Sequence, residues 1–408
     1  MVGSEETDVT MNSMTRYLAV LSLLIGCLFA RVALGQQSTT TRVVDIRASD
    51  GSVLKATYFA AANTGPGVLL LHQCNRQRKL WDDLAQQLSA AGINVLTFDL
   101  RGFGESSGTA FDKLSQQESA DIQANKWPGD IDAAFDYLVS QPGVQANTIG
   151  LGGASCGVNN SVKTALRHPK QVKSLVLLSG STDMTGRTFL RQQSQLPVFF
   201  SAADDDEFQG TVELLLWLYG VSSNPGKKFV RFANGGHGAD MFATHPELRR
   251  MIVDWYVTTL IKTPGHAPAS KDSIVLPRAS QVFKLLEEPG GIDKIAAMLA
   301  EARRNEPKAV LFPESIVNII GYEHLQARDS AKAVQILKLN VTAFPASANA
   351  YDSLSDAYLA NGQKELARQN ARKALELLVS DSADTEARRN AIRDSAQQKL
   401  KQLGDGAQ

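Results

Sequence analysis

The sequence predicts an α/β chain: a doubly wound, mostly parallel sheet followed by a small all-α region of helical repeats. Three observations carry this expectation. From Gly67 to Leu260 short continuous apolar runs alternate with amphipathic helices, the pattern of parallel strands covered on both faces. Past residue 275 the strand-like runs stop and helical periodicity takes over. Within that second stretch an offset of 34 residues brings similar side chains into register.

The elements follow in order. Residues 42–59 alternate apolar and polar positions around Asp50-Gly51, which predicts an antiparallel hairpin. Strands are expected at 68–71, 93–98, 148–151, 175–178, 197–201 and 228–232. Helices are expected at 80–91, 131–138, 156–167, 212–219 and 248–260. Only about 17 residues separate strand 175–178 from strand 197–201, too few for a large lid. Residues 263–275, rich in Pro, Gly, Ala and Ser, read as a linker between a domain at 36–262 and a helical domain at 276–408.

With 408 residues the chain is long enough for two or three cores. Lys+Arg and Asp+Glu balance at 42 each, so no strong field favours nucleic acid. Arg16 precedes an apolar run over residues 17–30, broken by Ser22 and Gly26, and Ala33-Leu34-Gly35 offers small residues before Gln36. This predicts a secretory signal peptide over residues 1–35 and an exported chain, periplasmic or secreted. The acidic first ten residues are unusual for such a signal, and Met11 or Met14 are alternative starts. A lipoprotein signal at Cys27 and an uncleaved anchor are the rival readings, and membrane contact is expected only in those cases. The apolar run continues past Cys27 and is short for a full span, which weighs against both.

The chemistry is concentrated in three places. Gly153-Ala-Ser-Cys-Gly157 lies between a strand and a helix, where a G-x-S-x-G turn lifts the Ser155 hydroxyl above a sheet edge. Of the six histidines, His237 follows the last strand in the glycine-rich loop Asn234-Gly-Gly-His-Gly238, free to swing over that edge as a general base. His72 closes strand 68–71 and reads as a loop-shaping residue; His168, His245, His266 and His324 sit at helix ends, in the linker or in the repeat. The orienting acid is expected between Ser155 and His237 in the Asp204-Asp-Asp206 run. Asp206 fits the loop position, with Asp205, Asp204 and the more distant Asp183 as alternatives. Backbone N–H groups of Cys156 and of Cys74 or Gln73 are the expected oxyanion donors. Neither histidines nor cysteines show metal-ligand spacing, and no organic cofactor is implied.

Leu69-Leu-Leu-His72, Phe98-Asp-Leu-Arg-Gly-Phe-Gly-Glu-Ser106, Gly153–Gly157, the strand into Asp206 and Gly236-His-Gly238 together resemble the α/β-hydrolase superfamily, near its dienelactone-hydrolase-like branch. The resemblance covers residues 42–262 and implies a serine hydrolase of ester or related acyl bonds acting on a small-molecule substrate. Arg101 reads as structural in that loop. Two departures stand out. The usual His-Gly after the third strand is His72-Gln73, and the branch's cysteine nucleophile is replaced by Ser155. Cys156 in that role would require glycines at Ala154 and Val158. If Cys74 and Cys156 both supply oxyanion amides they lie close together; two small buried thiols are the first expectation and a bridge clamping the hole is the alternative.

In the helical domain, residues 317–350 placed over 351–384 align Ile320 with Leu354, Gly321 with Ser355 and Ala333 with Ala367. Pro345, Tyr358, Gly362 and Ala374 fill further positions of what resembles two tetratricopeptide repeats, from which His324 and Asn340 depart. A plain helical bundle is the alternative. Repeats of this kind imply a protein partner. A peptidase of the same fold, or a non-catalytic scaffold led by the repeats, are the competing functions.

Overall fold

The structure, a computed structural model, describes residues 40–270, 274–380 and 384–404. The expected signal at 1–35 lies outside the described residues, as do linker residues 271–273 and residues 381–383 of the second repeat. Eight strands form one sheet: β1 (Thr40–Arg47), β2 (Val53–Ala60), β3 (Gly65–Leu71), β4 (Asn94–Phe98), β5 (Val144–Ala154), β6 (Val172–Leu178), β7 (Val198–Ala203) and β8 (Lys228–Phe232). Their order is β1-β2-β4-β3-β5-β6-β7-β8. The β1–β2 hairpin joins antiparallel through β2, and β4 through β8 run parallel.

The apolar runs explain this order. β3, β4 and β7 are buried along their whole length, as strands covered by helices on both faces must be. Helices Trp127–Ser140, Cys156–Arg167 and Thr211–Val221 cover one face, and Asp82–Ala90 and Glu247–Tyr256 the other. Three helices of the α/β part lie outside the expected set, Gln116–Asn125, Met184–Gln192 and the single turn Met241–Thr244. Gln116–Asn125 carries few apolar residues and is started by a Ser115–Glu118 capping box. Met184–Gln192 begins where Asp183 accepts from Gly186 N–H at 2.9 Å, and fills the short segment between β6 and β7. Instead of one helix over 80–91, a 3₁₀ turn at Arg78–Trp81 leads into Asp82–Ala90.

Past the linker, seven helices are formed among the described residues, beginning with Arg278–Leu286 and Gly291–Asn305. Glu314–Gln326 pairs with Ser330–Ala343, and Ala348–Ala360 with Lys364–Leu378. The two pairs start 34 residues apart, Glu314 to Ala348 and Ser330 to Lys364, so the recurrence in sequence is a recurrence in helices. A final helix, Glu386–Gln402, covers the second pair and inserts Lys399 between Asp352 (2.9 Å) and Asp356 (2.8 Å).

The helical region packs against the α/β part through Thr211–Val221. Trp217 from that helix joins the core made by Val282, Phe283 and Leu286. Above it Arg187, only 1 % exposed, stacks 4.3 Å from the Trp217 ring and bonds Glu287 at 2.7 Å and Glu323 at 2.6 Å, both from the helical region. A guanidinium so buried is tolerated because both carboxylates and the Thr182 carbonyl (2.8 Å) accept hydrogen bonds from its N–H groups. Burial pushes the Glu323 carboxyl above the ordinary glutamate range, with Arg187 pulling the other way. Arg187→Met leaves Glu323 without its cation and Glu287 with Arg191 alone (2.7 Å), and is expected to lower stability by about 3–5 kcal/mol in urea unfolding.

Candidate functional site

Strand register gathers the candidate residues at one edge. Leu71 pairs with Gly153, Ala154 with Leu178, Leu178 with Ser201 and Ala203 with Phe232. The loops after β3, β5, β7 and β8 therefore leave the sheet side by side at its carboxyl edge, the usual ligand edge of an open parallel sheet.

Ser155 stands between β5 and helix Cys156–Arg167 at φ 54°, ψ −120°, a conformation that costs a non-glycine residue about 1–3 kcal/mol. Its N–H donates to Leu178 O at 2.9 Å, which ties the turn to β6. The glycines on either side are steric requirements. A Cβ at Gly153 would lie 2.1 Å from Gly157 O, and one at Gly157 would lie 2.5 Å from Leu71 O. Cys156 occupies the first helical position, where the N–H has no intrahelical acceptor and the helix dipole is positive.

The three adjacent aspartates take three different partners. Asp204 pairs with Arg231 at 2.6 Å. Asp205 accepts from the N–H groups of Gly235 (3.2 Å) and Gly236 (2.8 Å), and the Gly236 bond holds its carboxyl below the ordinary aspartate range. Asp206 meets His237 Nδ1 at 2.8 and 2.9 Å, and one of its oxygens also accepts from Phe208 N–H at 3.0 Å. Asp183 is used elsewhere, capping its helix and pairing with Lys163 at 2.7 Å. With Nδ1–H donated to the carboxylate, His237 Nε2 is left as an acceptor, buried and without a partner. The ring of Phe208, 55 % exposed, stands edge-on to it at 4.6 Å. Gly238 turns the chain at φ 62° and backs onto the elbow: a Cβ there would lie 3.2 Å from Ala154 Cβ.

The other histidines are occupied. His168 stacks on Phe135 at 4.0 Å, His245 stacks on Phe232 at 3.9 Å, His324 bonds Asp329 at 3.1 Å and His266 bonds Pro264 O at 3.0 Å. His72 is buried beside the site; desolvation pushes its imidazole below the ordinary histidine range, so it is neutral. Its Nε2 accepts from Leu100 N–H at 3.0 Å and its Nδ1–H donates to Gln73 O at 2.8 Å. Gln73 O also accepts from Arg76 N–H at 3.0 Å. A trans amide places its N–H opposite its C=O, so these two bonds fix the direction of the Cys74 N–H. Among the described residues neither Cys74 N–H nor Gln73 N–H has an acceptor, which keeps both as candidate oxyanion donors. Arg101 bridges Asp130 (2.7 Å) and Asp50 (2.7 Å), a structural placement.

Cys74 and Cys156 are joined by a disulfide with Cα atoms 5.9 Å apart, which overturns the expectation of two free thiols. Position explains it: β3 and β5 are paired, and each cysteine lies just past the end of its strand. The bond ties the loop after β3 to the residue that follows Ser155 and leaves the Cys156 sulfur no role as a nucleophile. It closes a loop of 82 residues, so replacing both cysteines by serine is expected to lower stability by about 2–5 kcal/mol. Urea unfolding under non-reducing conditions, with thiol titration of the unmodified protein, measures this.

Residues 66–217 match the family model described as the alpha/beta hydrolase fold. A thiohydrolase, aneE, of Aspergillus aculeatus is 27% identical over 154 residues, 37% of this chain and 45% of the relative. An uncharacterized protein of Mycobacterium tuberculosis is 31% identical over 145 residues, 35% of this chain and 47% of the relative. The chain thus spans less than half the length of these curated relatives. A dienelactone hydrolase structure from Anabaena variabilis aligns at 18% identity and TM-score 0.43, covering 54% of this chain and 99% of that one. The Pyrococcus furiosus esterase Pf2001 aligns at 18% identity and TM-score 0.43, covering 55% and 92%. With its eight-stranded sheet and the match over residues 66–217, the chain carries an α/β-hydrolase fold followed by a helical region.

Proposed function

We propose that the chain is a serine hydrolase that cleaves carboxylic ester or related acyl bonds through an acyl-enzyme. The observation that carries this reading is the His237 ring, bonded to Asp206 through Nδ1 with Nε2 buried and free, in a loop that backs onto the strained Ser155 elbow. In this reading Nε2 takes the Ser155 proton as Oγ attacks the acyl carbon, and Asp206 orients the imidazole and stabilises its cation. The N–H groups of Cys156 and Cys74 hold the oxyanion, with Gln73 as the competitor for the second. Nε2–H then protonates the leaving group, and water repeats the sequence to free the acid.

A cleft of about 820 Å³ borders Cys74, lined on its apolar side by Leu80, Phe103 and Phe111. Its size suits a small-molecule substrate. The relative named as a thiohydrolase is consistent with hydrolysis at an acyl centre. Export, with residues 1–35 as signal peptide, is supported by the disulfide, which persists in oxidising compartments. The helical region reads as two tetratricopeptide-like repeats, on the 34-residue spacing of its helix pairs, and a protein partner on them is part of this proposal. A peptidase of the same fold is the nearest alternative, and turnover of aminoacyl amides in place of esters favours it.

A fluorophosphonate probe tests the reading: native protein labels, Ser155→Ala does not, and failure of native protein to label rejects it. In p-nitrophenyl acetate hydrolysis, Asp206→Asn is expected to lower kcat by roughly 10³–10⁴-fold, as loss of a triad acid does. Asp204→Asn, which removes only a pair with an exposed arginine, is expected to stay within about threefold. Equal effects of the two substitutions would reject Asp206 as the orienting acid.

A further inference from the structure

Gln73 lies just past the end of β3, and its side chain is wholly buried. Its amide reaches across to the loop that carries His237. Oε1 accepts from Ala239 N–H at 2.9 Å, which fixes the orientation of the amide. Nε2 donates to Asn75 Oδ1 at 2.9 Å, and lies 3.4 Å from Asp240 Oδ2 and 3.5 Å from His237 O. Three residues on, Arg76 grips the same Asp240 from outside, Nη2 to Oδ2 at 2.9 Å and Nε to Oδ1 at 3.1 Å. The facing position is Gly238, where a Cβ would lie 2.4 Å from Gln73 Oε1, so the base loop has no room for a side chain there.

The segment 72–76 is thereby held on three sides. His72 bonds it to the loop after β4, the Cys74–Cys156 disulfide bonds it to the elbow, and Gln73 bonds it to the base loop. Gln73 belongs to the peptide whose direction sets the Cys74 N–H, and its side chain grips residues 237–240. We infer that Gln73 is a positioning residue that sets the registration of the oxyanion donors against His237. The inference rests on the serine-hydrolase reading above. A buried amide with its acceptor and donor groups engaged is costly to leave half-made, so loss of the brace lets the two loops separate.

The test uses full-length Gln73→Met, close in size but without the amide, with p-nitrophenyl acetate as substrate and phenylboronic acid as an analogue of the tetrahedral adduct. The expected result is a fall in kcat of about 10–100-fold with KM moving less than about threefold, since the lost interactions serve the transition state. The boronate inhibition constant should rise in parallel with the loss in kcat/KM. Unchanged kcat in a protein whose wild type labels at Ser155 overturns the brace and leaves the serine-hydrolase reading standing. A loss confined to KM also overturns it. Should Gln73→Met fail to fold, Asp240→Asn, at a half-buried surface position, decides: a fall in kcat of about threefold or more at constant KM supports the brace, and no change rejects it. Wild type that neither labels nor turns over removes the function reading itself, and with it any catalytic role for Gln73.

Discussion

Backbone meets backbone without side chains at the end of β5, and the candidate site depends on that approach. Gly153 lies against Gly157 O, and Gly157 against Leu71 O, so strand, turn and following helix close directly onto β3. Any Cβ at either position would force the helix away from the sheet. The same closure forces Ser155 into positive φ, a strain held by its N–H bond to β6 and by the helix behind it. It also brings Cys156 beside Cys74, because the paired strands deliver both to the same place. Serine geometry and disulfide are thus consequences of one tight turn.

Electrostatics divides the acidic run after β7 by geometry. Adjacent residues at a strand end point in different directions, so each aspartate reaches a different neighbour. One pairs with a β8 arginine, one pins the glycines of the His237 loop, and one meets the imidazole. Asp205 and Asp206 act on the same loop from two sides, on its backbone and on its ring. A histidine on a glycine-rich loop would otherwise sample many positions; two carboxylates and the Gln73 amide remove that freedom before any substrate arrives.

The helical region belongs to this frame mechanically. It packs on the helix that follows the acidic loop, with Pro313 and Ile316 against Gly210, four residues past Asp206. Ser280 donates to Glu213 O at 2.8 Å, and Arg187 locks the boundary with charges drawn from both sides. Loop and helix are backed by a second core rather than by solvent. Helices Glu314–Gln326 and Ala348–Ala360 are meanwhile engaged with one another through Tyr322 to Asp356 at 2.7 Å, and Lys399 of the final helix reaches the same Asp356 at 2.8 Å.

Much of this was legible in the chain. Continuous apolar runs marked the central strands β3 and β7, because a strand buried on both faces can carry little else, while the edge strand β8 mixes Lys228 and Arg231 with its apolar residues. The elbow, His237 and the aspartate run stood out because glycine and charge are costly inside such a sheet and gather where it ends. The helix Gln116–Asn125 was missed because it exposes nearly all its residues and lacks an apolar stripe, and Met184–Gln192 because Gly186 and polar residues interrupt its few apolar ones. Sequence alone determined the order of the candidate residues along the chain, Ser155, then the aspartate run, then His237, on a parallel α/β frame with a 34-residue helical recurrence behind it. Which aspartate meets the imidazole, whether two cysteines join, and what the buried Gln73 amide reaches were decided only in three dimensions. Each of these depends on contacts between loops far apart in the chain, whose distances are set by sheet register and not by local residue pattern.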